Sequence, residues 1–229
     1  MYGGSSAHES KVESLVNTEV LMPRRGNKIE VLLFDIGGVL IDFDFNRAFA
    51  IWEPISRLSC TEMEHVFKYD LAYEQHERGE ITAAQYFAHL STILELQDDH
   101  ARIAEGWNAI FLGEISETRA MLQSARVQFP CFAFTNTNAT HHATWSAMFP
   151  DVVASFEHVF ASNEIGIRKP EAQVFEHVAH TLGIPLDAIM FFDDMPENVE
   201  AAIKAGIRAV HVRSPADVRN ALLSIGCAL

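Results

Sequence analysis

A short apolar run, Val31-Leu32-Leu33-Phe34, ends on an aspartate and then breaks at Ile36-Gly37-Gly38. A run this short, with no polar alternation, is the pattern of a strand buried on both faces. Such strands belong to parallel sheets covered by helices. In open sheets of that kind the chemistry gathers beyond the carboxyl ends of the strands, and Asp35 stands at such an end. Three later segments repeat the arrangement. Phe132-Ala133-Phe134 runs into Thr135-Asn136, Ile167-Arg168 leads to Lys169-Pro170, and Ile189-Met190-Phe191-Phe192 runs into Asp193-Asp194. In chain order these are a carboxylate, a hydroxyl, an ammonium and a pair of carboxylates. Together they can supply a nucleophile, a phosphate cradle and ligands for a hard cation.

The rest of the chain suits such a sheet. After a strand at 31–35 and a turn and flap at 36–45, residues 46–126 read as helical throughout. Thr82 is placed to cap a helix that carries Ala83, Phe87, Leu90 and Leu94 at helical spacing. Ile103, Trp107, Ile110 and Phe111 form a second such stripe. The chain then alternates: strand 131–134, helix 139–148, strand 158–161, helix 170–182, strand 189–192, helix 196–205, strand 208–212, helix 215–225. Strands separated by helices call for parallel pairing with helices on both faces. Pro170 at a first helical position and Gly206 just past a helix end mark two boundaries.

At 229 residues, 48% hydrophobic and 21% charged, the chain has the makings of one soluble domain with a small insert. No apolar run approaches the roughly 18 residues that cross a bilayer, so no membrane partner is expected. Residues 1–28 are polar and lack the apolar stretch of a secretory signal. They read as a mobile tail, loosest at Gly3-Gly4-Ser5-Ser6, with a weak amphipathic helix over Val12 to Leu21. Cys60, Cys131 and Cys227 are odd in number and lack metal-ligand spacing, which suits reduced thiols in a cytoplasmic protein. A net charge of −14 disfavours nucleic acid and repels anions at long range. A phosphate site on this chain therefore needs local cations: a lysine, a metal ion and helix N-termini. A monomer or weak homodimer is expected.

The four segments resemble motifs one to four of the haloacid dehalogenase superfamily, and the resemblance runs from Val31 to about Val212. Each motif is short; their order and placement at strand ends make the match specific. The stretches Asp42-Phe43-Asp44-Phe45-Asn46-Arg47, Tyr73-Glu74-Gln75-His76-Glu77-Arg78-Gly79-Glu80, Thr135-Asn136-Thr137-Asn138 and Arg168-Lys169-Pro170-Glu171 resemble one branch in particular. It holds the bacterial α-D-glucose-1-phosphate phosphatase and lies near the phosphatase domain of soluble epoxide hydrolases. The resemblance implies an α/β fold. A Rossmann-like parallel-sheet core would span residues 29–45 and 119–229, with a small α-helical cap of the C1 type at 46–118. It also implies a Mg2+-dependent phosphomonoesterase acting through an aspartyl-phosphate. The substrate would be a small phosphorylated metabolite, with a sugar phosphate such as α-glucose 1-phosphate first in line.

Carried over residue by residue, the resemblance makes Asp35 the nucleophile. Thr135 and the Asn136 amide would hold the transferring phosphoryl group, and Lys169 would neutralise it and orient Asp35. Asp35, Asp194 and the Gly37 carbonyl would hold Mg2+. Asn198, four positions after Asp194, points to Asp194 as the ligand, with Asp193 supporting it or contacting Lys169. His141, near a helix start, and His76, in the polar stretch of the cap, are candidate substrate contacts. Each residue also has a plainer account: a turn or capping Asp35, an ST-turn at Thr135, a surface Lys169, a solvated helix end around His76.

Gly37 departs from the family pattern. Two residues after the nucleophile, most of these phosphatases carry a second Asp that protonates the leaving group. Asp42, Asp44, His76 and Glu77 are the nearby alternatives, and a good leaving group needs less help. The missing acid and the long N-terminal stretch also suit a non-catalytic phosphate-binding or docking module. A metal-free 2-haloacid dehalogenase uses the same kind of Asp nucleophile, but the pair Asp193-Asp194 argues against it.

Overall fold

The computed structural model describes residues 28–97 and 100–229. Apart from Lys28, the stretch read as a tail lies outside the described residues. Strand β1 (Val31–Phe34) is followed by a short strand β2 (Ile41–Phe43) and by five helices, α1 (Asn46–Trp52), α2 (Cys60–Val66), α3 (Leu71–Glu77), α4 (Ala83–Ile93) and α5 (His100–Asn108). Strand β3 (Phe111–Glu114) then pairs antiparallel with β2, so the five helices leave and return through a two-stranded ribbon. The sequence reading ran helix through this segment. In the structure α5 stops at Asn108, and Ile110 and Phe111 belong to the approach to and start of a strand.

The remainder alternates: α6 (Ser116–Ala125), β4 (Cys131–Thr135), α7 (Ala139–Met148), α8 (Pro150–Val153), β5 (His158–Ala161), α9 (Ser162–Ile165), α10 (Ala172–Leu182), β6 (Ile189–Asp193), α11 (Pro196–Ala205), β7 (Arg208–His211) and α12 (Pro215–Ser224). Helix α10 begins at Ala172 with Glu171 as its N-cap, so Pro170 precedes the helix instead of opening it. Thr82 does cap α4: its hydroxyl accepts from the Gln85 amide while the Gln85 side chain accepts from the Thr82 amide.

Five strands form one parallel sheet in the order β5-β4-β1-β6-β7, with β1 in the middle. Alternation along β1 explains why it carries no polar residue. Leu32 and Phe34 point into one apolar layer, with Ala133, Met190 and Phe192, against Met121 and Leu122 of α6 and Val218 and Leu222 of α12. Val31 and Leu33 point into the other, with Phe134 and Phe191, against Val174, Phe175 and Val178 of α10. Phe34 and Phe192, register partners on β1 and β6, stack at 4.5 Å. Each such side chain contributes about 1.5–3 kcal/mol by leaving water. The fold is therefore α/β with a Rossmann-like core. Among the described residues no helix is long and apolar enough to cross a membrane.

Helices α1 to α5 gather round their own core of Phe49, Trp52, Tyr86, Leu90, Ile103 and Trp107. Gly106 lets α5 lie flat on α1: a Cβ there would come within 2.2 Å of the Trp52 Nε1. That indole N–H donates to the Ile103 carbonyl at 3.2 Å.

Candidate active site

Asp35, Thr135 and Asp193 stand at or just past the carboxyl ends of β1, β4 and β6, three adjacent strands. The loop between α9 and α10 brings Lys169 under them. Its side chain is fully buried, and its Nζ donates to Asp193 Oδ2 at 2.6 Å and to the Phe134 carbonyl at 3.1 Å, and lies 2.9 Å from Asp35 Oδ2. Asn136 fixes that loop. Its Oδ1 accepts from the Lys169 amide at 2.9 Å, and its Nδ2 donates to the Lys169 carbonyl at 2.8 Å. The Asn136 side chain is thus committed to Lys169, and only its backbone amide is left for a substrate. Nor does Asn136 open a helix: α7 is capped by Asn138, whose side chain accepts from the His141 amide.

Asp35, Asp193 and Asp194 each offer a carboxylate oxygen, all within 4.8 Å of one another. Asp193 is tied down by the protein: Oδ2 accepts from Lys169, and Oδ1 accepts from the Met195 amide and Asn198 Nδ2, both at 2.9 Å. Asn198 therefore holds Asp193. Asp194 instead faces the cavity, crossing close over Gly38: a Cβ at Gly38 would fall 2.3 Å from Asp194 Oδ2.

One ammonium does not balance three carboxylates. Burial raises the Asp35 carboxyl well above the usual range; Lys169 opposes this, and Asp193 and Asp194 add to it. Asp194 is pushed up to about 6, by burial first and Asp193 second, against Lys169. Burial pulls Lys169 down, but Asp193 and Asp35 outweigh it and hold the amine charged. Clustered hard oxygens with surplus negative charge fit Mg2+. Asp35 and Asp194 would hold it, with Gly37 on the same wall.

These groups open into a cavity of about 380 Å³ between the sheet and the inserted helices. Asp35, Gly37, Thr135, Asn136, Lys169 and Asp194 all line it. The two histidines do not. His76 is buried among the inserted helices, its ring stacked on Tyr86 at 4.5 Å, and neither ring nitrogen has a protein partner. His141 is buried against Trp107, stacked at 4.4 Å with its Nε2 2.8 Å from the Trp107 carbonyl. It borders only a smaller side chamber. Neither lines the main cavity; both pack against aromatic rings of the insertion. Sequence reasoning gave no site role to Phe43, Tyr69 or Arg168, which do line the cavity. The usable signal was the spacing of Tyr73 and Glu77, one helical turn apart on the cavity face of α3.

Comparison with known proteins supports the fold. A family model for haloacid dehalogenase-like hydrolases matches residues 29–206. The chain is 23% identical over 201 residues to drimenol cyclase drtB of Aspergillus calidoustus, covering 86% of this chain but only 36% of that relative. It is 25% identical over 190 residues to sesquiterpene phosphatase astK of Aspergillus oryzae, covering 79% of this chain and 88% of that one. Among solved structures it resembles the enzyme BT-2542 of Bacteroides thetaiotaomicron, in complex with magnesium and inorganic phosphate. The TM-score is 0.69 at 28% identity, over 79% of this chain and 92% of that one. The chain belongs to the haloacid dehalogenase-like hydrolases.

Proposed function

We propose that this hydrolase is a Mg2+-dependent phosphomonoesterase that works through an aspartyl-phosphate on Asp35. The observation that carries the reading is one fully buried ammonium, Lys169, held between the Asp35 and Asp193 carboxylates beside a third, Asp194. That arrangement orients a carboxylate nucleophile, and its surplus negative charge suits a cation. The phosphatase name of astK and the magnesium and phosphate held by BT-2542 support it.

In the proposed reaction Asp35 attacks phosphorus while Lys169 and the Thr135 hydroxyl neutralise and hold the phosphoryl oxygens. The bond to the leaving oxygen breaks with its electron pair on that oxygen. Water then attacks the aspartyl-phosphate, returning the Asp35 carboxylate and releasing dihydrogen phosphate. Bound magnesium would supply the remaining charge neutralisation. Acceleration comes from positioning and electrostatics.

A sugar phosphate such as α-glucose 1-phosphate is the candidate substrate, supported by the resemblance of the Thr135 and Arg168 stretches and by Gly37, which offers no acid. We assign the protein to the cytoplasm as a monomer or weak homodimer, with Cys60, Cys131 and Cys227 as free thiols. The test is phosphate release from α-glucose 1-phosphate, hexose 6-phosphates, nucleotides and phosphoglycolate, with and without magnesium. Magnesium-dependent release abolished in Asp35→Asn is expected. Residual turnover above about 1% would remove Asp35 as nucleophile, since acid–base help alone is worth about 10²–10⁴. Chloride release from a 2-chloroacid without magnesium would instead favour a dehalogenase, and phosphate binding without turnover a binding module.

A further inference from the structure

Of the four groups that could replace the missing acid, three are misplaced. Asp42 is exposed on the ribbon. Asp44 accepts the Asn46 amide at the start of α1, and His76 lies in the core of the inserted helices. Glu77 alone lines the cavity, and its Oε2 accepts from Arg168 Nε at 2.8 Å.

The space at Gly37 is tight. A Cβ built on Gly37 would lie 3.1 Å from Phe43 Cε1 and 3.6 Å from Cδ1, so a side chain at 37 would crowd the edge of the Phe43 ring. Strand β2 holds that ring in place, pairing Phe43 with Phe111 of β3. Phe45 meets it edge-on at 6.1 Å. Tyr69 and Tyr73 extend the aromatic wall on the cavity side. Behind Phe43 an apolar chamber of about 80 Å³, bordered by Ile36, Ile110, Phe111 and Trp145, reaches the same Gly37 and Thr135.

We propose that Phe43 is the leaving-group selector of this site, an inference that rests on the phosphomonoesterase reading. The ring crowds the position two residues after the nucleophile, and no carboxyl is offered there. When Asp35 attacks phosphorus, the P–O bond breaks and both electrons remain on the leaving oxygen. That oxygen departs as an anion and takes its proton from solvent afterwards. The substrate class is therefore a phosphate ester of an acidic hydroxyl (aryl, enol or hemiacetal) whose flat or apolar face rests on Phe43, Tyr69 and Tyr73. Simple alkyl phosphates bind but turn over slowly, because general acid help worth about 10²–10⁴ is missing for them.

The test compares kcat/KM for phenyl phosphate and for cyclohexyl phosphate, an alkyl ester of the same size, in the magnesium-loaded enzyme. We expect phenyl phosphate to be favoured at least about a hundredfold. Gly37→Asp alone should not help, because Phe43 obstructs it. Gly37→Asp combined with Phe43→Ala should raise cyclohexyl phosphate turnover at least about tenfold. The wild-type ratio tests the idea even if that double variant fails to fold. A wild-type ratio within about threefold would overturn the proposal, and a widening of that ratio in Glu77→Gln would identify Glu77 as the acid instead. Release from neither ester, nor from any sugar phosphate, would overturn the phosphomonoesterase reading itself and this inference with it.

Discussion

Arg168, the residue before the buried lysine, places its Nε 2.8 Å from Glu77 Oε2 and its Nη1 3.2 Å from Glu74 Oε1. Both acids lie on α3 of the helical insertion, and Arg168 belongs to the core. Arg78, just past α3, reaches back to the core residue Glu171 at 3.1 Å. Crossed pairs of this kind set where the inserted helices sit over the cavity. They also tie that placement to the loop that carries Lys169.

Arg168→Ala should therefore cost stability as well as substrate affinity. Glu77 is only 5% exposed, and stripping the partner from a buried pair costs about 3–5 kcal/mol. Burial already raises the Glu77 carboxyl, with Arg168 opposing. Without Arg168, Glu77 takes up a proton more readily, so the loss should shrink as pH falls from 7 to 5. Urea melts at the two pH values measure this. A loss under about 1 kcal/mol at pH 7 would show that the pair does not hold the insertion.

Magnesium affinity should follow the protonation of the acid cluster. Asp194, pushed up to about 6, must lose its proton to bind a cation, as must Asp35, whose carboxyl burial also raises, so affinity should rise as pH increases through 6. Titration calorimetry at pH 5, 6 and 7 would show it. Asp194→Asn should weaken binding at least about tenfold, and Asp193→Asn should act mainly on Lys169, since Asp193 is held by Lys169, Met195 and Asn198. Equal loss in both variants would spread the metal site over the whole cluster.

The convergence of Asp35, Thr135 and Asp194 was legible because parallel strands bring their carboxyl ends together, and short apolar runs reveal those ends; Lys169 arrives instead on the loop between α9 and α10, which that argument does not place. The ribbon was not. Ile41-Asp42-Phe43 and Phe111–Glu114 are too short for a period-two signal, and Phe111 falls where the helical stripe of Ile103 and Trp107 continues. His76 misled for a related reason. Within Glu74-Gln75-His76-Glu77 every residue is polar, so composition says surface, yet a helix turns each neighbour by about 100°. Glu74 and Glu77 meet Arg168 and the cavity, while His76 turns onto Tyr86. Asn198, four positions after Asp194, bonds to the neighbouring Asp193, a contact that spacing alone does not reveal.

Gly38 should tolerate no side chain. Its φ of +67° and the approach of Asp194 Oδ2 to 2.3 Å of a hypothetical Cβ both demand glycine. Gly206 has φ +103° but nothing within 4 Å of its Cβ position. Both alanine variants should lose about 1–2 kcal/mol from the backbone. Only Gly38→Ala should also lose magnesium binding, by tenfold or more. Equal magnesium affinity in the two variants would show that Asp194 does not need that close approach.

His76 offers a decision between packing and substrate contact. Burial holds its imidazole down to about 4, against an ordinary 6.5. Between those values the unfolded chain binds a proton that the folded one refuses, so His76 subtracts stability as pH falls through this window and nothing above it. His141, held down to about 3 by burial, acts in the same direction to lower pH. His76→Phe keeps the stack on Tyr86 and removes one of the two. The fall in thermal midpoint from pH 7 to pH 4.5 should become shallower, and kcat/KM at pH 7 should stay within about twofold. A tenfold rise in KM with an unchanged pH profile would return His76 to the substrate.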